Sequence, residues 1–178
     1  MRARPLVVSV LLAATFPGAN ASRATLTGKL DCVGLGSSKG QPPPKEYTVV
    51  FGVVAVPASP RYLYALQTSR TGDEGYRLFA KSGLWFKTGS QFELGVPAAL
   101  WGHAALGWGN PGAPAEQATM AKCPSHPHEW MALPGGFWTD NRRCLPVVIT
   151  SGKKAATVRI GLGIPCAGQK PPTGLSEP

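Results

Sequence analysis

Glycine and proline set the limits on what this chain can fold into. Its 178 residues include 22 glycines and 18 prolines, which cut the apolar sequence into short pieces. Both residues oppose helix interiors. Short β-branched and aromatic runs between turn residues read instead as strands. Thr25 to Leu30 places Leu26 and Leu30 on one face, and Glu46 to Val56 ("EYTVVFGVVAV") is apolar on both faces. Such a double-sided strand belongs in the middle of a sheet or under a second layer. "RYLYALQT" (Arg61 to Thr68) and "GYRLFAK" (Gly75 to Lys81) follow. Ala98 to Asn110 is rich in alanine and leucine, but Gly102, Gly107 and Gly109 oppose a helix there.

Two hairpins can be registered residue by residue. With Thr88-Gly89-Ser90 as the loop, Phe86 faces Phe92 and Leu84 faces Leu94, while Trp85 meets Glu93 and Lys87 meets Gln91. A second hairpin turns at Gly152-Lys153. It pairs Leu145 with Ile160, Val147 with Val158 and Ile149 with Ala156, again with one apolar face. About nine or ten short strands result, which predicts an all-β fold, an antiparallel β-sandwich of Ig-like general type, with a small β-barrel as the alternative.

The N-terminus has the layout of a secretory leader: Arg2 and Arg4, the apolar run Leu6 to Phe16, then Pro17-Gly18 and Ala19-Asn20-Ala21. The run is shorter than the about 20 residues needed to span a bilayer. The expected organisation is a cleaved signal over 1–21, one β domain over 22–167, and a disordered proline-rich tail over 168–178. No transmembrane segment is expected after cleavage, and the expected location is extracellular or at the cell-envelope surface. The formal charge of +9 falls to +7 once Arg2 and Arg4 are removed. The basic residues are dispersed, which describes a solvated basic surface with some attraction to an envelope polymer rather than a nucleic-acid groove. A partner protein is the other expectation.

Cys32, Cys123, Cys144 and Cys166 are even in number and, behind a leader, bound for an oxidising compartment, so two disulfides are expected. Three connectivities are open; Cys144–Cys166 with Cys32–Cys123 is preferred, because Cys144 opens one hairpin strand and Cys166 lies just beyond its partner. "CPSHPHEW" (Cys123 to Trp130) also suggests a zinc or copper site on Cys123, His126 and His128, with Glu129 or His103 as a further ligand. A disulfide at Cys123 removes that thiolate and leaves His126 and His128 as weak surface ligands, so no cofactor is expected.

Catalytic patterns are weak. "GSSKG" around Ser38 precedes "QPPPKE" instead of the helix a nucleophile elbow needs, and "SGKK" (Ser151 to Lys154) lies in a hairpin turn. Of five tryptophans, Trp85 is the one the first hairpin turns away from the core, where it could stack on a sugar or peptide.

The segment Cys123 to Cys166 resembles a group of uncharacterised secreted proteins of high-GC Gram-positive bacteria. Their recurring pattern is approximately C-P, W-x-x-x-x-G-G, C-x-P and a hairpin closing on G-x-P-C, with weaker likeness in "GLWFKTGSQFELGVP" (Gly83 to Pro97). The resemblance implies a secreted disulfide domain and no particular substrate; His126 and His128 lie outside its pattern. The expected role is a non-enzymatic binding or structural domain, the alternative a metal-binding protein, and the third a hydrolase. An intact mass of the secreted protein should begin at Ser22 and gain nothing on alkylation without reductant. A thiol alkylated only after chelation would establish the metal site instead.

Overall fold

The computed structural model describes residues 25–30, 41–109, 112–122 and 128–174. The leader, Ser38, Cys32, Cys123 and His126 lie outside them. The described chain forms strands β1 (Thr27–Leu30), β2 (Thr48–Val50), β3 (Val54–Val56), β4 (Ser69–Arg70), β5 (Leu78–Lys81), β6 (Leu84–Lys87) and β7 (Phe92–Gly95). These are followed by β8 (Ala104–Trp108), β9 (Gln117–Met120), β10 (Trp130–Leu133), β11 (Gly135–Thr139), β12 (Arg143–Ser151) and β13 (Lys154–Leu162). The Ala98 to Asn110 region is one 3-10 turn, Ala98–Leu100, followed by the fully buried β8. No helix among the described residues is long and apolar enough to cross a membrane.

The fold is an all-β sandwich, and among the described residues no sheet closes into a barrel. One layer has the order β1-β9-β7-β12-β13, antiparallel except for the parallel pair β1–β9. Two four-stranded sheets, β10-β6-β3-β2 and β4-β5-β11-β8, make up the opposing layer. They share one continuous ribbon. Leu133 pairs with Leu84 and Gly136 with Lys81, so the register of β10 on β6 runs unchanged into that of β11 on β5. The ribbon bends at Ser82-Gly83 and Pro134. Glycines permit the bend: a Cβ on Gly136 would sit 2.1 Å from the Ala80 carbonyl oxygen, and one on Gly135 2.2 Å from that of Gly107. The indole of Trp108 fills the corner, donating to the Ser82 carbonyl at 2.9 Å.

The Gly152-Lys153 hairpin forms in the expected register, with Leu145 opposite Ile160, Val147 opposite Val158 and Ile149 opposite Ala156. Cys144 and Cys166 are bonded, with Cα atoms 5.0 Å apart. A loop of this size is worth about 3 kcal/mol. The pair Leu30–Met120 closes the described part of the parallel ladder; the expected Cys32–Cys123 pair lies outside the described residues.

Other expectations need correction. β6 and β7 do not pair: β6 lies between β10 and β3, and β7 between β9 and β12. Their connection is an arch from one layer to the other. Phe86 and Phe92 still meet, with ring centroids 6.2 Å apart, but across the interior. Thr88 secures the arch to the entrance of β10, its N–H donating to Glu129 at 2.9 Å and its hydroxyl to the His128 carbonyl at 2.9 Å. Trp85 consequently lies between Ala55 and Ala132, and Glu93 between Thr119 and Thr150. The run Glu46 to Val56 folds back on itself as the β2–β3 hairpin, because Phe51 and Gly52 both adopt positive φ (52° and 71°). Arg61 to Thr68 is a crossing segment with single bridges, Leu66 to Leu162 and Tyr64 to Lys170. That second bridge also orders the start of the expected tail: Lys170 donates to Leu63 and accepts from Ala65, at 2.7 and 2.9 Å.

One apolar core runs through both layers, from Val54 and Phe86 to Leu94, Phe137 and Ile160. Within it Glu116 is fully buried. Its carboxylate accepts from the Leu26 N–H at 3.0 Å and the Gly102 N–H at 2.6 Å, joining the start of β1 to the turn before β8. A buried N–H left without its acceptor costs about 1–3 kcal/mol. Glu116→Ala should therefore lower unfolding free energy by about 3 kcal/mol, measured by urea denaturation, and Glu116→Gln should cost less because it keeps one acceptor oxygen.

Candidate functional site

The residues singled out from the sequence do not converge on one site. His128 is half-buried, and its carbonyl is held by Thr88. Among the described residues no group of three His, Cys, Asp or Glu side chains is placed to hold a metal ion. His103, the further ligand considered, is 2.8 Å from Asp140 through Nδ1. Trp85 is half-buried. Ser151 and Lys154 face each other across the hairpin turn, where the Ser151 hydroxyl donates to the Gln91 carbonyl at 3.0 Å.

Polar chemistry gathers instead where the two layers open beside β4. A cleft of about 510 Å³ is lined by Thr68, Arg70, Arg77, Leu78, Asp140 and Arg142, among others. Two turns supply its three arginines. Arg70 and Arg77 flank the turn between β4 and β5, which Asp73 shapes by accepting from the Gly75 and Tyr76 N–H groups at 2.7 and 3.0 Å. Arg142 stands in the turn between β11 and β12. Leu78 shares the inner face of β5 with the fully buried Ala80, so this is the rim of the sandwich interior.

Thr68 is 5% exposed, and its hydroxyl has no hydrogen-bond partner among the described residues. Beside it Gly163 has φ 69°, and a Cβ there would lie 2.9 Å from the Thr68 hydroxyl oxygen and 2.7 Å from Cγ of Arg142. Glycine thus satisfies two needs at this position, a left-handed backbone and space between the two walls.

Asp140 fixes the opposite wall. One carboxylate oxygen binds Nη2 of Arg143 and the other Nδ1 of His103, while its carbonyl accepts from Nε of Arg77 at 3.3 Å. Burial raises the Asp140 pKa, but the His103 hydrogen bond and the Arg143 charge outweigh it and hold the group below the ordinary carboxylate range. His103 is 60% exposed in its side chain and does not line the cleft, so the His103–Asp140 pair is a fastening on its outer rim. Guanidinium and hydroxyl groups thus line the cleft, and its carboxylate is engaged by Arg143 and His103. That chemistry holds an oxyanion.

Thr68, Arg70, Arg77, Asp140 and Arg142 belong to no motif legible in the sequence, where the basic residues look merely dispersed. Arg70 and Arg77 do bracket Gly72-Asp73-Glu74-Gly75, a readable turn. No local pattern states that this turn meets the one at Asp140. No protein-family model, curated protein or solved structure matches this chain.

A carboxylate whose pKa is depressed in the folded state contributes stability that is present above its unfolded value, about 3.9, and is lost as pH falls through the folded value. Asp140→Asn should accordingly lower the thermal midpoint at pH 7. Its deficit against the native chain should shrink below about pH 4, as followed by calorimetry from pH 7 to pH 2.5.

Proposed function

We propose that this chain is a secreted or envelope-associated, non-enzymatic β-sandwich domain that binds an anionic ligand in the arginine-lined cleft. The convergence of Arg70, Arg77 and Arg142 around the buried, unpartnered Thr68 hydroxyl carries the reading. Burying a hydroxyl without a partner costs about 1–3 kcal/mol, and an oxyanion seated among the guanidinium groups would accept its proton. A rigid β frame with an open rim suits binding, since Thr68 and Arg142 are positioned by backbone that the Cys144–Cys166 disulfide ties together. The leader-like N-terminus and the disulfide support export, and the net positive charge would draw anions toward the cleft.

Pyrophosphate titrated into the purified chain at low ionic strength is the direct test. Arg70→Ala combined with Arg77→Ala should weaken binding about 100-fold at low salt, and less at physiological salt. Thr68→Val should leave the thermal midpoint equal or higher, because it removes a buried unpaired hydroxyl, and yet weaken binding. Unchanged affinity in both variants would remove the proposal.

A further inference from the structure

A second hollow, of about 460 Å³, adjoins the arginine cleft and shares Thr68 with it. The two lie on opposite faces of one edge strand. Among the described residues β4 pairs only with β5, Ser69 opposite Phe79 and Arg70 opposite Leu78. Consecutive strand residues point to opposite faces: Arg70 and Leu78 line the inner cleft, Ser69 and Phe79 the outer hollow. Tyr64, Gln67 and Lys81 complete the outer side. Phe79 packs beside its cross-strand partner Trp138, at 4.6 Å between centroids, and Tyr64 is 39% exposed, with Nζ of Lys170 5.9 Å from its ring centroid.

We infer that the ligand is an acidic glycan whose charged group enters the arginine cleft while a neighbouring sugar ring occupies the outer hollow. The inference rests on the reading of the cleft as an anion site and adds the class of molecule. Aromatic faces offer the C–H side of a sugar ring a stacking surface, and Gln67, Ser69 and Lys81 offer its hydroxyls donors and acceptors. A simple anion has no use for the aromatic side, and an apolar ligand none for the polar one. A peptide adding to the edge would lie in the plane of the sheet and pair with β4, which presents only two residues. The hollows lie above and below that plane, within reach of a chain of rings that crosses the free edge.

The test is calorimetric titration of the secreted full chain at low salt with a uronic-acid hexamer, a neutral hexose hexamer, hexaglutamate and pyrophosphate. The uronate hexamer should bind about tenfold or more tighter than hexaglutamate, and the neutral hexamer more weakly than either. Tyr64→Ala should weaken the uronate hexamer about tenfold and leave pyrophosphate unchanged. Lys81→Ala, at an exposed position, should act in the same selective way and does not depend on Tyr64 for folding. Equal binding of hexaglutamate, or no effect of either variant, would overturn the glycan while pyrophosphate binding preserves the anion site. Failure of every anion to bind would overturn both.

Discussion

The β12–β13 ribbon is the constraint on which the rest of the molecule depends. Its nine consecutive pairs make the longest ladder among the described residues. One of its edges pairs with β7, and the far end of β13 receives the crossing segment that carries Thr68. That docking is close: Leu66 donates to the Gly161 carbonyl at 2.7 Å, and Gly163 donates back to Leu66 at 2.8 Å. A Cβ on Gly161 would lie 2.9 Å from that of Ala65 and 2.5 Å from the Gln169 amide oxygen, so glycine permits the approach. Gln169 then links Cys166 to the Tyr62 carbonyl. Both walls of the arginine cleft are therefore referred to one ribbon, Arg142 just before its first residue and Thr68 against its last. The disulfide closes that end.

The opposing layer solves a different problem. A sheet that continued flat from β6 into β5 would leave the sandwich open at one corner. The bend at Ser82-Gly83 and Pro134 turns the ribbon while preserving its register, and Trp108 and Phe137 fill the corner edge to face, 5.2 Å apart. Bending also makes β4 a short free edge rather than one strand in a long flat one. A two-residue edge offers little for another chain to pair with, and its alternating side chains serve two hollows at once.

Where the sequence could be read, one local rule sufficed. The β12–β13 register follows from alternation and a Gly-Lys turn, because both strands stay in one sheet and no other element has to be known. The same alternation misled at Thr88-Gly89-Ser90. Leu84 and Phe86 against Leu94 and Phe92 fit a hairpin and an arch equally, since each demands one apolar face per strand. Only the partners β10, β3, β9 and β12, distant in sequence, distinguish the two. Phe51 was unreadable for a related reason. A bulky aromatic seldom adopts positive φ, so "VVFGVV" reads as uninterrupted strand, and the turn is held by pairing of Thr48 to Val50 with Val54 to Val56. The cleft was least legible, because Arg70 and Arg77 belong to one turn and Arg142 to another far along the chain, and the two meet only through the tertiary fold.

Charge at that meeting point also explains how the cleft can gather cations without driving its walls apart. Arg70, Arg77, Arg142 and the neighbouring Arg143 would repel one another if the turn before β12 carried no counter-charge. Asp140 supplies it from the wall itself: one oxygen on Arg143, the other on His103, and its carbonyl on Arg77. The contact to Arg143 joins two side chains partly withdrawn from water, where screening is weaker than at an open surface. The carboxylate is thus committed to holding the scaffold, and the positive character of the cleft is carried by Arg70, Arg77 and Arg142 along its walls.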